Sequence, residues 1–312
     1  LTVPNETAKL LRGLVQHRQE LVRETTRRKN KLTAIADEIF PELTQVYIDP
    51  NSPSALRLRE SFPTPQSIAE AELVDLYATR KRNRPSNAQF AQLRDLARQT
   101  IGTTDQGRQV SLLLEQKQLI AELTFLNAHI ATLNAEIEQA VEASREGQIL
   151  TSFPMIGSVH AAMLIASIGS IANFESAAKL RAYCGWSPVQ SQTGISMDAM
   201  FLSRQGNRLL KHTLYLVALQ AVRMDTPWKV LYDRLVPLKC QYDDRLSRYR
   251  GRMKVVGRVA GQIVSVVYAL LRRDYDLVAI AIDGEELPPP ELYDPAKHRV
   301  KRNTAHDSGH IQ

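Results

Sequence analysis

Apolar side chains recur every three or four residues over two long stretches of this chain, and both stretches predict amphipathic helices. Over residues 7–39 the stripe is Leu11, Leu14, Leu21, Leu32, Ile35 and Ile39, and Pro41 ends it. Over residues 112–141 it is Leu112, Leu119, Leu123, Leu126, Ile130, Leu133, Ile137 and Ala140, with Gln, Glu and Asn between. A mean step of about 3.5 residues predicts a coiled-coil seam there. Such a seam pairs either with the first helix, as an intramolecular hairpin, or with a second copy of the chain. Gly147 is expected to close this second helix.

Shorter elements fill the rest. Turn residues crowd 47–65, with Asp49-Pro50-Asn51-Ser52-Pro53 and then Phe62-Pro63-Thr64-Pro65. A helix is expected over 66–77, capped by Thr64 or Ser67. A basic loop follows at 80–85, then a helix over 88–101. From residue 149 the chain becomes apolar and rich in small side chains, predicting helices at 158–168 and 176–184. A small β-hairpin is expected near 186–203, followed by helices at 208–224, 228–250 and 253–272. The tail from Gly284, with Pro288-Pro289-Pro290, reads as extended or disordered. The fold class expected is therefore all-α, with a coiled-coil segment and a small β-hairpin. The domains expected are a basic helical and coiled-coil module at 1–147, a second domain at 148–275 and a tail at 276–312.

Composition narrows the function. Aromatic residues make up only 6% of the 312 residues, which disfavours a β-sandwich. No apolar run approaches the roughly 20 residues a membrane span needs, so no membrane partner is expected. Cys184 and Cys240 lie too far apart for a zinc knuckle and read as reduced thiols of a cytoplasmic protein. His160 and His212 lack partners at ligand spacing and read as non-metal residues. The formal net charge is +7. Its distribution carries more weight than its size, because three separate basic clusters point to a polyanionic partner. The first includes Arg23, Arg27 and Arg28, the second Arg80, Lys81, Arg82 and Arg84. The third is Arg245, Arg248, Arg250, Arg252, Lys254 and Arg258. Asp243 and Asp244, just before the third, read as helix surface.

Two motifs could carry chemistry. Phe153-Pro154-Met155-Ile156-Gly157-Ser158 has the form of a helix-hairpin-helix turn. In such a turn, backbone N–H groups at the start of the next helix face a phosphate oxygen, and Gly157 would permit close approach. The competing reading is a plain helical hairpin packed in a core. The second motif is Ala182-Tyr183-Cys184-Gly185-Trp186-Ser187-Pro188, then Gln192-Thr193-Gly194, then Ser203-Arg204-Gln205-Gly206-Asn207-Arg208-Leu209-Leu210-Lys211. Asn207 is a natural cap for the following helix, with Arg208 and Lys211 on one face. Arg204, Asn207, Arg208 and Lys211 are expected to contact nucleic acid, together with Gly157, Ser158, Arg23, Arg27, Arg28 and Lys254.

The second motif resembles the carboxy-terminal domain of the insertion-sequence one-ten family of transposases, whose pattern runs Gly-Leu-x-Pro, Ser-Gly, then Ile-Ser-Lys-x-Gly-Asn. The resemblance extends upstream and downstream, over roughly residues 10–275. The resemblance implies a site-specific DNA recombinase in which a serine of this domain joins covalently to DNA. It implies Mg²⁺ held by an Asp-Glu-Asp-Asp set on an amino-terminal RuvC-like domain, and an element-encoded bridge RNA that selects the DNA sites. Two departures stand out. The acidic domain is missing, so the chain is expected to be a truncated or decayed copy without a metal site of its own. The family serine aligns with Thr193, whose added methyl group crowds attack. Ser191 is a weaker alternative nucleophile, and Ser196 is another hydroxyl nearby. The expected partners are DNA, bridge RNA and a second copy of the chain. The rival reading is a non-enzymatic nucleic-acid-binding module.

Overall fold

The protein is represented by a computed structural model that describes residues 6–81, 85–186, 188–191, 199–202, 206–281 and 287–297, with the backbone alone at 188–191 and 199–202. Its described residues are mainly helical, as expected, with two small antiparallel hairpins. The chain divides into two compact units, one of His17–Leu133 and one of Leu1–Gln16 with Asn134–Gln312.

The His17–Leu133 unit takes most of α1 (Glu6–Ile39) and of α6 (Gln106–Glu142), the two long periodic helices. Between them come a 3-10 turn at Pro41–Gln45, α2 (Pro53–Ser61), α3 (Pro65–Glu70), α4 (Leu73–Ala78) and α5 (Asn87–Arg98). Thr64 and Ser67 form a reciprocal capping box at the start of α3. The single helix expected over 66–77 is broken instead at Ala71–Glu72, where Ala71 is extended. Ile68 and Leu76 are both buried and suit one helical face, so the apolar pattern hides the break. One core holds Leu32, Ile35 and Ile39 of α1 with Leu112, Leu119 and Leu123 of α6. Arg28–Glu122 (2.8 Å) and Lys31–Glu115 (3.5 Å) tie the same two helices. Within this unit α6 thus has α1 as an intramolecular partner, while Leu126, Ile130 and Leu133 are only half-buried.

A polar hub crosses that core. Arg59 of α2 is 5% exposed. Its guanidinium donates to Leu32 O (2.8 Å), Gln116 Oε1 (2.9 Å) and Pro50 O (3.2 Å), joining α1, α6 and a turn. Burial among these neutral acceptors lowers its pKa to about 10. Arg80, expected in a basic loop, lies over the Tyr77 ring at 4.8 Å and donates to Asn87 Oδ1 at 2.6 Å.

The second unit is built around α12 (Met253–Ile280). α7 (Arg145–Thr151), α8 (Ser158–Ile168), α9 (Ala177–Tyr183), α10 (Arg208–Ala221) and α11 (Pro227–Lys239) surround it, and Val259, Ala260, Ile263, Val264 and Val267 form its buried face. α12 extends past the expected end at 272. By length and composition alone it could cross a membrane, yet 61% of its most apolar window is buried in the fold. The hairpin of β1 (Pro188–Ser191) and β2 (Ala199–Leu202) lies where the sequence placed it, in the register Pro188↔Leu202 to Ser191↔Ala199.

Three expectations fail here. Gly147 does not end α6. That helix stops at Glu142, and Gly147 sits in the first turn of α7, its N–H on Ser144 Oγ at 3.0 Å. A Cβ there would lie 1.9 Å from Val141 O, so the glycine answers a close backbone approach rather than a helix end. The helix expected over 228–250 stops at Lys239, and a second hairpin follows, β3 (Gln241–Asp243) paired with β4 (Arg248–Arg250). Asp243 and Asp244 therefore lie in a hairpin, not on a helix. The tail is not wholly loose either. Tyr293 is 8% exposed and stacks on Phe153 at 4.3 Å, its N–H donates to Ser152 Oγ (2.8 Å), and Arg145 donates to Pro288 O (2.8 Å).

Candidate nucleic-acid interface

The second motif becomes a site because two distant turns close on each other. α9 ends at Tyr183, and Gly185 takes φ +71, letting Trp186 N–H return to Arg181 O at 3.0 Å. Gly206 takes φ +114, and a Cβ there would lie 2.8 Å from Tyr183 O and 2.9 Å from Gly185 N. Only glycine tolerates both the dihedral and the proximity. One residue on, Asn207 N–H donates to Tyr183 O at 3.0 Å, and its side chain caps α10 by accepting from Leu210 N at 3.1 Å. The segment from Cys184 to Gly206 therefore leaves and re-enters the core at one point.

Side chains gather on that point. The Trp186 ring is buried and Lys211 Nζ sits 5.7 Å from its centroid, a cation held on an aromatic face. Arg208 is exposed in the same first turn of α10. The start of a helix favours an anion, and two cations there strengthen that preference. Gly261 of α12 lies beside this point, with Arg181 Cδ and Trp186 O at ordinary contact distances of 3.7 and 3.8 Å from where a Cβ would be. Cys184 lies inside the motif, but burial pushes its thiol pKa up to about 12, so it remains a protonated packing group.

The candidate hydroxyls fall on the hairpin. Ser191 is the last residue of β1, its backbone opposite Ala199. Thr193, Ser196 and Arg204 lie outside the described residues, as do Arg82 and Arg84 of the second basic cluster. Among the described residues, no three His, Cys, Asp or Glu side chains cluster closely enough to hold a metal ion.

The first motif forms a turn between α7 and α8. Gly157 is the N-cap of α8 without a side-chain cap, and Ser158 is its first residue. Gly157 has φ −84, and a Cβ there would meet nothing within 4 Å. The fold itself thus gives no steric reason for a glycine, unlike Gly206.

The remaining basic residues differ in how they are used. Lys254, in the first turn of α12, is exposed, and so is Arg23 of α1. Arg27 pairs with Glu24 (2.5 Å), and Arg28 with both Glu24 and Glu122. Arg23, Arg27 and Arg28 belong to the other unit from the Trp186–Asn207 site. Sequence reasoning missed the role of Trp186 under Lys211, the Asp243 turn and the partly buried Arg145–Asp274 pair (2.6 Å). That pair walls a cavity of about 530 Å³ lined by Ile165, Ile168, Leu271 and Val278. Only a spatial contact over more than a hundred residues reveals the pair, and neither side chain lies in a recognisable motif.

Comparison with known proteins bears on the same stretch. Residues 147–233 match the family described as "Transposase IS116/IS110/IS902 family". The chain is similar to the "Insertion element IS110 uncharacterized 43.6 kDa protein" of Streptomyces coelicolor, at 28% identity over 279 residues, covering 87% of this chain and 65% of that protein. It is also similar to the "Insertion element IS900 uncharacterized 42 kDa protein" of Mycobacterium paratuberculosis, at 25% identity, covering 87% of this chain and 66% of that protein. A third relative is the "Insertion element IS116 uncharacterized 44.8 kDa protein" of Streptomyces clavuligerus, at 23% identity over 73% of this chain and 57% of that protein. The chain thus spans just under two thirds of the length of the first two.

Proposed function

We propose that this chain acts in DNA transposition, as the nucleic-acid-binding and strand-joining part of a transposase of the matched family. The observation that carries the reading is the family match over residues 147–233, which contains the whole Tyr183–Asn207 closure with its α10 cations. Arg208 and Lys211 serve to hold phosphate there, with Arg204 beside them in the sequence. Gly157 and Ser158 give a second phosphate contact at α8, where the absence of a steric need for glycine suits an approaching ligand.

In this reading the Thr193 hydroxyl attacks a phosphodiester phosphorus. One P–O ester forms as another breaks, the departing DNA oxygen takes up a proton, and the covalent link conserves the bond energy for rejoining. Ser191 is the alternative attacker. Among the described residues no carboxylate set fits Mg²⁺, which in this reading would be held by the acidic domain that the resemblance implies. The family resemblance adds bridge RNA as a second polyanion, and the half-buried Leu126, Ile130 and Leu133 suit pairing with a second copy along α6. The whole would operate in the cytoplasm.

An excision assay in cells, on a plasmid carrying the gene with its native flanking DNA, tests the chemistry. Thr193→Ala should abolish excision and Thr193→Ser should retain or raise it. Full excision by Thr193→Ala would sink the assignment. Loss in Ser191→Ala alone would move the nucleophile to Ser191.

A further inference from the structure

The first half of the third basic cluster, with the adjacent Asp243 and Asp244, lies in a hairpin and not on the helix expected there. Tyr242 and Tyr249 are direct cross-strand partners and pack edge to face, with ring centroids 5.0 Å apart. Tyr249 also packs against a small cluster of Leu235, Val236 and Val255, which seats the hairpin base on α11 and α12. The pleat then sends Gln241, Asp243, Arg248 and Arg250 to the opposite face. Asp243 organises the tip. One carboxylate oxygen accepts from the backbone N–H of Arg245 (3.0 Å) and of Leu246 (3.2 Å), and the other pairs with Arg250. Ser247 completes the reversal in the left-handed region, at φ 45.

The turn is thus built and held, yet what it holds faces solvent. Arg245, Arg248, Arg252 and Lys254 are exposed, and Leu246 is 49% exposed at the tip. An apolar side chain kept outward by a carboxylate-organised turn and flanked by arginines has no function in the fold's own packing.

We propose that the β3–β4 hairpin is a ribbon that enters the major groove of B-form DNA, Leu246 leading and Arg245 and Arg248 on its flanks. This rests on the DNA-binding reading above. A two-stranded ribbon fits a groove about 12 Å wide, arginine reaches guanine edges or the bordering phosphates, and an apolar tip suits a thymine methyl. Duplex RNA is a poorer match, because its A-form major groove is too deep and narrow to admit the ribbon.

The test uses the full chain and a fluorescent mixed-sequence DNA duplex. Arg245→Ala combined with Arg248→Ala should weaken binding about tenfold and lower the log–log salt slope by about 2. Leu246→Ser should weaken it less while leaving the salt slope unchanged. Methyl green, which occupies the major groove, should displace the unaltered chain, and netropsin, which occupies the minor groove, should not. All three side chains are exposed, so thermal melting should be unaltered. Unaltered affinity in the double variant would overturn the hairpin's role and leave the DNA-binding reading standing. Displacement by netropsin alone, or an equal loss on an RNA duplex of the same sequence, would overturn the major-groove assignment. Absence of any DNA binding by the unaltered chain would remove both readings together.

Discussion

The two units solve the same problem, holding helices together, with a different balance of polar bonds and close packing. In His17–Leu133 the decisive contacts are polar. Arg59 joins three segments through carbonyl and amide oxygens, Arg108 grips Glu38 with two bonds of 2.6 and 2.8 Å, and Glu42 accepts from Thr100 Oγ1 and Ile101 N. In the second unit close backbone approaches at Gly147 and Gly206 stand beside a larger apolar core, whereas the first unit has one such approach among the described residues, at Gly102, where a Cβ would lie 2.0 Å from Ile39 O. Directional bonds suit a unit in which short helices with little apolar surface each, α2 to α5, must be fixed against the two long ones. Glycine contacts suit one whose segments turn back on themselves at close range, Gly147 against Val141 O and Gly206 against Tyr183 O.

The comparison can be broken where each unit concentrates its dependence. Arg59→Leu should have the largest effect, about 3 kcal/mol on the His17–Leu133 unit, because Leu32 O, Pro50 O and Gln116 lose a buried partner. Hydrogen exchange should show the loss in that unit first. Gly206→Ala should cost about 2 kcal/mol in the other unit, from the positive φ and the contact with Tyr183 O. It should also free the Asn207 amide to exchange. Equal exchange changes in both units for either variant would refute the contrast.

Acidification sharpens the contrast more gently. Glu38 lies below its ordinary pKa of 4.5, chiefly through the Arg108 hydrogen bond. Burial pushes Glu42 the other way, but the Ile101 N–H and Thr100 hydroxyl outweigh it and leave its pKa lowered. A carboxylate depressed in the folded state contributes stability above its unfolded pKa and loses it as pH falls through the folded value. The melting temperature of the His17–Leu133 unit should therefore be insensitive to these groups above 4.5 and fall below it, and Glu38→Gln with Glu42→Gln should flatten that fall. The smallest effect concerns α1. Arg23→Ala should reduce the salt slope of DNA binding by about one contact, and Arg28→Ala by less, because Arg28 is already committed to Glu24 and Glu122. An equal change in both would show that those ion pairs open on binding.

Much of the fold was legible where one signal dominated. α1 and α8 lie within a residue of their expected bounds because Pro41 and Gly157 punctuate strong apolar runs. The Asn207 cap was readable because a capping side chain acts on its own chain only three residues away. The β3–β4 hairpin was not. Tyr242 and Tyr249 are spaced for a helical stripe as well as for a hairpin, and the deciding contact is the cross-strand pairing itself. Gly147 misled because glycine most often ends a helix, whereas here it makes room for Val141 O. In the first basic cluster Glu24 is visible in the sequence beside Arg27 and Arg28, but Glu122, which also engages Arg28, lies far along the chain.

The single hydrogen bond from Asn207 to Tyr183 has an evolutionary side. A segment whose two ends already meet can be lengthened, shortened or replaced without altering the distance the rest of the chain must span, and the entropy of closing it grows only slowly with its length. The stretch after the buried Trp186 and before Gly206 can then change in length and sequence on a fixed mount, provided the proposed attacking hydroxyl at Thr193 is kept. Relatives of this chain could vary that stretch, and whatever specificity it encodes, while the helices beneath it drift only as far as Gly206 and Asn207 permit.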